Sequence, residues 1–149
     1  MYQISRQQYS NSSDNIVRNY LKEGKDLKNI FDRIKNLGED KGEYKDKKKK
    51  KKISTSQARK LLELARDIKE EKYKDEILRK IIKMMVFIDY QQKRGKISQE
   101  IAKEYISVLN SLHEIIQNEV TNQEDIQKYT GRFYDIIEII TVYLSSKEE

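Results

Sequence analysis

The chain has 149 residues with a net charge of +6, 38% charged and 36% hydrophobic side chains, no Cys, Pro or Trp, and five Gly. That excludes disulfide frameworks, zinc ribbons and thiol catalysis, and so few turn formers argue against the many tight connections of all-β or α/β chains. The excess charge is local: Lys41–Lys52 carries eight Lys against Glu43 and Asp46, and the other 137 residues balance 23 bases against 23 acids.

In chain order, residues 1–13 are rich in Gln, Ser, Asn and Tyr, show no period, and are expected to be a disordered tail. Met1–Arg6 lacks the apolar core of a signal peptide. No apolar run approaches the ~18 residues of a membrane span. A cytoplasmic protein without a membrane partner is expected. Residues 14–38 carry Ile16, Val17, Tyr20, Leu21, Leu27, Ile30, Phe31, Ile34 and Leu37 at helical spacing. They are read as one helix, interrupted only by Gly24, with Gly38 as its C-cap. Residues 39–52 form a Lys-rich linker. Repulsion keeps such a run extended; it is either a solvated connection or a phosphate-binding arm, since counterion release favours Lys clusters on nucleic acid.

The remainder, 53–145, reads as four more helices in one bundle domain. Ser54 and Gln57 stand in the capping-box relation, ahead of Ala58, Leu61, Leu62, Ala65 and Ile68. After a break near Lys72 and Tyr73, a third helix runs from about Lys74 to Arg94, ended by Gly95. Ser98 caps a fourth, and Thr121 with Glu124 forms a capping box for the fifth. The expected fold is all-α: a five-helix antiparallel bundle with a disordered N-terminal tail and a Lys-rich linker.

Catalytic patterns are missing. There is no Walker loop, no Gly-x-Gly-x-x-Gly and no Glu-x-x-His, and the single His113 sits beside an apolar stripe. A non-enzymatic protein without cofactor or metal is expected. The third helix is more informative. At 100° per residue, Ile77, Ile81, Met84, Met85 and Ile88 share one face, while Arg79, Lys80, Lys83 and Arg94 gather opposite with Phe87 and Tyr90. Some of these bases suit phosphates; the two aromatics are expected to be buried. On the second helix Arg59 and Arg66 lie two turns apart on one flank, where Glu63 and Glu70 compete for them as ion-pair partners.

Three stretches carry a family resemblance. Ser54-Thr55-Ser56-Gln57-Ala58-Arg59-Lys60-Leu61-Leu62 resembles the Thr-Ser-x-x-Arg-x-Leu helix opening of the small subunit of type III-A CRISPR–Cas interference complexes, the Csm complexes. Phe87-Ile88-Asp89-Tyr90-Gln91-Gln92-Lys93-Arg94 resembles the family's Phe-x-x-Tyr-x-x-Gly-Arg ending of the next helix, and Phe133, Glu138 and Tyr143 resemble its last helix. The resemblance spans about residues 53–145. Lys93 stands in place of the usual Gly, with Gly95 two places on; Asp135 stands where an Arg is common; Leu144-Ser145-Ser146 replaces a Gly-Gly.

The resemblance implies a non-catalytic subunit that stacks with copies of itself in a filament. Beside it would stand the large signature subunit and the backbone subunit. It would line the guide RNA–target RNA duplex through sequence-independent backbone contacts. Carried over by position, Arg59, Lys60, Arg94 and Arg132 would touch RNA; the helical-face argument adds Arg66, Arg79 and Lys83. The alternative is a protein-only helical adaptor or scaffold without RNA binding.

Overall fold

Side-chain oxygens set three helix starts. Ser54 Oγ accepts the Gln57 N–H at 3.1 Å, Ser98 Oγ the Ile101 N–H at 3.2 Å, and Asn122 Oδ1 the Asp125 N–H at 2.9 Å. Each such cap contributes about 1 kcal/mol. The last one corrects the expected Thr121–Glu124 box: the cap is Asn122, one residue on. The box at Ser54 closes only half-way, because Gln57 Nε2 donates instead to Gln91 Oε1 on a neighbouring helix, at 3.0 Å. Gly95 ends its helix in the left-handed region, φ 77°. Its N–H bonds Gln92 C=O and that of Lys96 bonds Gln91 C=O, each at 2.9 Å, which is the Schellman pattern.

The computed structural model describes residues 12–39 and 52–145. Among them are six α-helices: α1 (Ser12–Glu23), α2 (Leu27–Gly38), α3 (Thr55–Glu70), α4 (Lys74–Lys93), α5 (Gln99–Glu119) and α6 (Gln123–Leu144). The all-α class holds; the count of five does not. The single helix expected over 14–38 is two helices, because Gly24 and Asp26 both take left-handed backbones, φ 74° and 71°. Of the expected tail, Ser12 and Ser13 already belong to α1, and residues 1–11 lie outside the described residues. So do residues 40–51 of the Lys-rich linker.

α3, α4, α5 and α6 pack in a ring, each against the next and α6 against α3. Their connections are short, so chain neighbours run antiparallel. Cross-contacts agree: Gln57 near the start of α3 meets Gln91 near the end of α4, and Tyr105 in α5 meets Thr141 in α6. Fully buried Leu61, Ile81, Met84, Tyr105, Leu112, Phe133 and Ile136 fill the ring. The Tyr105 hydroxyl is partnered by Thr141 Oγ1 at 2.7 Å, and burial pushes its pKa up. No helix among the described residues is long and apolar enough to cross a membrane.

α1 packs on α5 and α6, and α2 on α6. Val17, Leu21, Ile30 and Ile34 are fully buried there. Ions fasten α1 to the end of α5: Arg18 to Glu114 at 2.7 Å and Glu119 at 3.3 Å, Lys22 to Glu119 at 2.7 Å. The Lys22 bond is the main reason the Glu119 carboxyl sits below its usual range. Gly38 is not the expected C-cap, which is Glu39. Gly38 ends α2 as a helical residue, and its role is close approach: a Cβ there would stand 2.7 Å from the Tyr143 carbonyl oxygen.

Tyr20 is buried and its hydroxyl donates to Asp135 at 2.8 Å. Burial first, then the carboxylate, push its pKa up to about 12. The phenol ionises near 10 in the unfolded chain. Its contribution to stability is therefore complete below about pH 10 and is lost as pH rises towards 12. Urea midpoints measured across that window should fall more steeply for the parent than for Tyr20→Phe. Parallel curves would count against this contact.

Candidate nucleic-acid interface

The seven candidate bases fall into three states. Arg59, in the first turns of α3, and Lys83, midway along α4, are exposed and have no ion pair among the described residues. Arg94, the C-cap of α4, is exposed and lies over the Tyr90 ring, 5.4 Å from its centroid. These three keep their charge available to a ligand.

Three others are shared with neighbours. Lys60 stands 3.7 Å from Glu63, and Arg79 bonds Glu76 through both Nε and Nη2 at 3.0 and 2.8 Å. Arg66 reaches the Tyr134 hydroxyl at 3.3 Å. The competing carboxylates anticipated on its flank, Glu63 and Glu70, do not pair with it. Lys80 of the same basic face is neutralised by Glu71 at 2.8 Å, with Asp67 at 3.6 Å. That bond holds Lys80 above, and Glu71 below, their ordinary ionisation ranges.

Arg132 is in a different position. Its Nη1 donates to the carbonyls of Leu21 and Lys22, both at 3.0 Å, and so caps the C-terminal end of α1. A Cβ at Gly24 would come within 3.0 Å of the same guanidinium. Arg132→Ala should cost about 1.5–3 kcal/mol, the range for hydrogen bonds to a charged group, and circular dichroism at increasing urea should show it. A change within ~0.5 kcal/mol would release Arg132 from this structural assignment. Asp135, the departure noted above, likewise serves α1 through Tyr20. Both positions in α6 thus hold a helix that lies outside the resemblance.

The aromatics divide. Phe87 is only half-buried where burial was expected, packing against the edge of the core, while Tyr90 is 56% exposed and corrects the expectation that it is buried. Helical spacing already sets Tyr90 opposite the buried face of α4; burial would have required an element covering the outer side of that helix.

Two of the resemblance-bearing stretches, and Tyr143 from the third, meet at one end of the bundle, while Phe133 of the third lies buried midway along α6. The first opens α3 and the second closes α4, and the Gln57–Gln91 bond joins them. The last turn of α6 closes the group: the Ile53 N–H bonds Leu144 C=O at 2.8 Å, forming an isolated parallel bridge between Ile53 and Ser145. Tyr143 meets Phe31 of α2 edge-on, ring centroids 5.2 Å apart. Gln57 and Gln91 are two and three residues from Arg59 and Arg94, so both arginines belong to this end. Both described ends of the Lys-rich linker also lie at this end: Gly38, next to Glu39, abuts Tyr143, and Lys52 Nζ lies 3.5 Å from the Tyr143 carbonyl.

The displaced glycine has a geometric reason. α4 continues through Lys93, so its left-handed position falls at Gly95, where only glycine is unstrained. Among the described residues no group of three or more His, Cys, Asp or Glu could hold a metal ion. No family model, no curated protein and no solved structure matches the chain.

Proposed function

We propose that this chain is a non-catalytic small subunit of a type III-A CRISPR RNA-guided interference complex, supporting the guide RNA–target RNA duplex by contacts to its backbone. The observation that carries the reading is that the first two resembling stretches, together with Tyr143 of the third, lie at one end of the bundle, with Arg59 and Arg94 both exposed there. Phosphate contacts position a nucleic acid without reading it. They need charge on a rigid surface, and two helix termini joined by a side-chain bond provide one. Lys83 extends the positive potential along α4. Arg66, Arg79 and Lys60 contribute through charge already shared with neighbours, and Arg132 belongs to the support of α1.

A body whose charges nearly cancel outside Lys41–Lys52 binds free RNA weakly. Firm holding then comes from several copies and neighbouring subunits acting at high effective concentration. The large signature subunit and the backbone subunit would carry the chemistry.

Titration of the full chain into single-stranded RNA and into a guide–target duplex at several salt concentrations tests the reading. With ~4 phosphates contacted, log K on the single strand should fall with log salt at a slope near −3. No salt-dependent binding at low ionic strength, alone or within the assembled complex, would leave the protein-only adaptor as the better reading.

A further inference from the structure

The flank of α3 that borders α6 carries positive charge that nothing on it cancels. Arg66 and Lys69 both reach Tyr134 of α6 there. Arg59 stands seven residues before Arg66, within about 20° of it around the helix and about 10 Å along it. All three are exposed, and none has an ion pair among the described residues. The neighbouring acids leave them so: Glu63 pairs with Lys60 at 3.7 Å, and Glu70 and Glu138 stand exposed without pairing to any of the three.

Tyr134 gathers two of these charges at one point. Lys69 Nζ lies over its ring, 4.8 Å from the centroid. Arg66 Nη2 donates to its hydroxyl at 3.3 Å. The hydroxyl accepts that bond, so its own hydrogen remains to donate. Both cations therefore meet a neutral phenol, which shares them without cancelling their charge. The backbone beneath is fixed: the buried Thr130 hydroxyl bonds Ile126 C=O at 2.9 Å and lies 3.5 Å from Lys69 C=O. Gly131, three residues before Tyr134, keeps the approach open, since a Cβ there would meet nothing within 4 Å.

A phenol O–H, a guanidinium and an ammonium, converging with no carboxylate paired to them, suit one phosphate, whose oxygens accept from all three. A base stacked on the ring fits less well, because the Lys69 ammonium already lies over it. We propose that Tyr134, Arg66 and Lys69 form a subsite for one backbone phosphate of an RNA strand, with Arg59 taking a further phosphate about 10 Å along the same flank. The strand then follows the seam of α3 and α6 from the end of the bundle towards its middle. The proposal rests on the RNA reading above and adds to it a path and two contacts, Lys69 and Tyr134.

Three measurements on the full chain test it. On single-stranded RNA, Arg66→Gln combined with Lys69→Gln should weaken binding and flatten the salt dependence by about 0.7 in slope, the share of one phosphate. Tyr134→Phe keeps the ring and removes only the donor. It should weaken binding about two- to tenfold, the range for a single hydrogen bond, with the slope unchanged. Urea midpoints of these chains should match the parent. Dimethyl phosphate, titrated against sodium chloride at equal ionic strength, should shift the NMR ring signals of Tyr134 in the parent ahead of those of the other tyrosines. Tyr134→Phe identifies these signals by their loss. No shift at Tyr134 overturns the subsite. So does a loss of binding in Tyr134→Ala that Tyr134→Phe does not share, since that marks stacking. RNA binding that needs Arg59 and Arg94 but is untouched by these variants overturns the subsite alone and keeps the proposed function. A chain that binds no RNA overturns both.

Discussion

Phe133→Ala should destabilise the bundle by about 3–5 kcal/mol. Phe133 is one of the two largest fully buried side chains, set in the middle of α6, the helix that packs on α1, α2, α3 and α5. Removing its ring leaves a cavity in the core cluster, and packed helices relax only partly into such a space. A domain of this size has about 5–15 kcal/mol in total, so the loss is a large share of the whole. Urea unfolding followed by circular dichroism reads it as a lowered midpoint. Phe133→Leu, which keeps most of the volume, should cost far less. A cost under ~1 kcal/mol for the alanine variant would mean the site collapses freely and is not the centre described here. Phe133 also belongs to the resemblance in α6. Its burial assigns it to the core, so reduced RNA binding by Phe133→Ala would report partial unfolding rather than a lost contact.

Combining Arg59→Ala with Arg94→Ala should lower affinity for RNA about tenfold or more near physiological salt and flatten the single-strand salt dependence by about 1.4 in slope, the share of two phosphate contacts. The fold should hardly notice. Neither arginine has an ion pair among the described residues, and the stacking of Arg94 on Tyr90 contributes only about 0.5–1 kcal/mol at an exposed site. The six consecutive lysines Lys47–Lys52 carry their own salt-dependent attraction for RNA, so both chains must keep them. An unchanged slope in the double variant would sink the assignment of these two residues. A large fall in the urea midpoint would instead identify them as structural.

Much of the bundle was legible in the chain. Ser54, Ser98 and Gly95 mark helix ends through bonds that span at most five residues, and such local bonds leave local patterns. The stripes of α3 to α6 were equally plain, since one apolar face in four helices has only the others to bury against. The division of residues 14–38 was not legible, because Gly24 is tolerated inside a helical pattern and nothing nearby marks Asp26 as left-handed. What accompanies the break there is distant: Arg132, more than a hundred residues away, takes the freed carbonyls of Leu21 and Lys22.

The candidate site divides along the same line. Residue type and helical face nominate seven bases, and both are local properties. Which of them remain available depends on partners brought close by folding. Arg79 meets Glu76 within its own helix, which the spacing allowed; Arg66 meets Tyr134 and Arg132 meets α1, which no spacing contains. Net charge pointed at Lys41–Lys52, yet the available arginines lie in the balanced remainder. A chain of six or more helix segments writes its periodicity into neighbouring residues, so fold class and helix ends follow from order alone. Charge availability is a property of the space around each group, and that space exists only once α1, α3, α4 and α6 have packed.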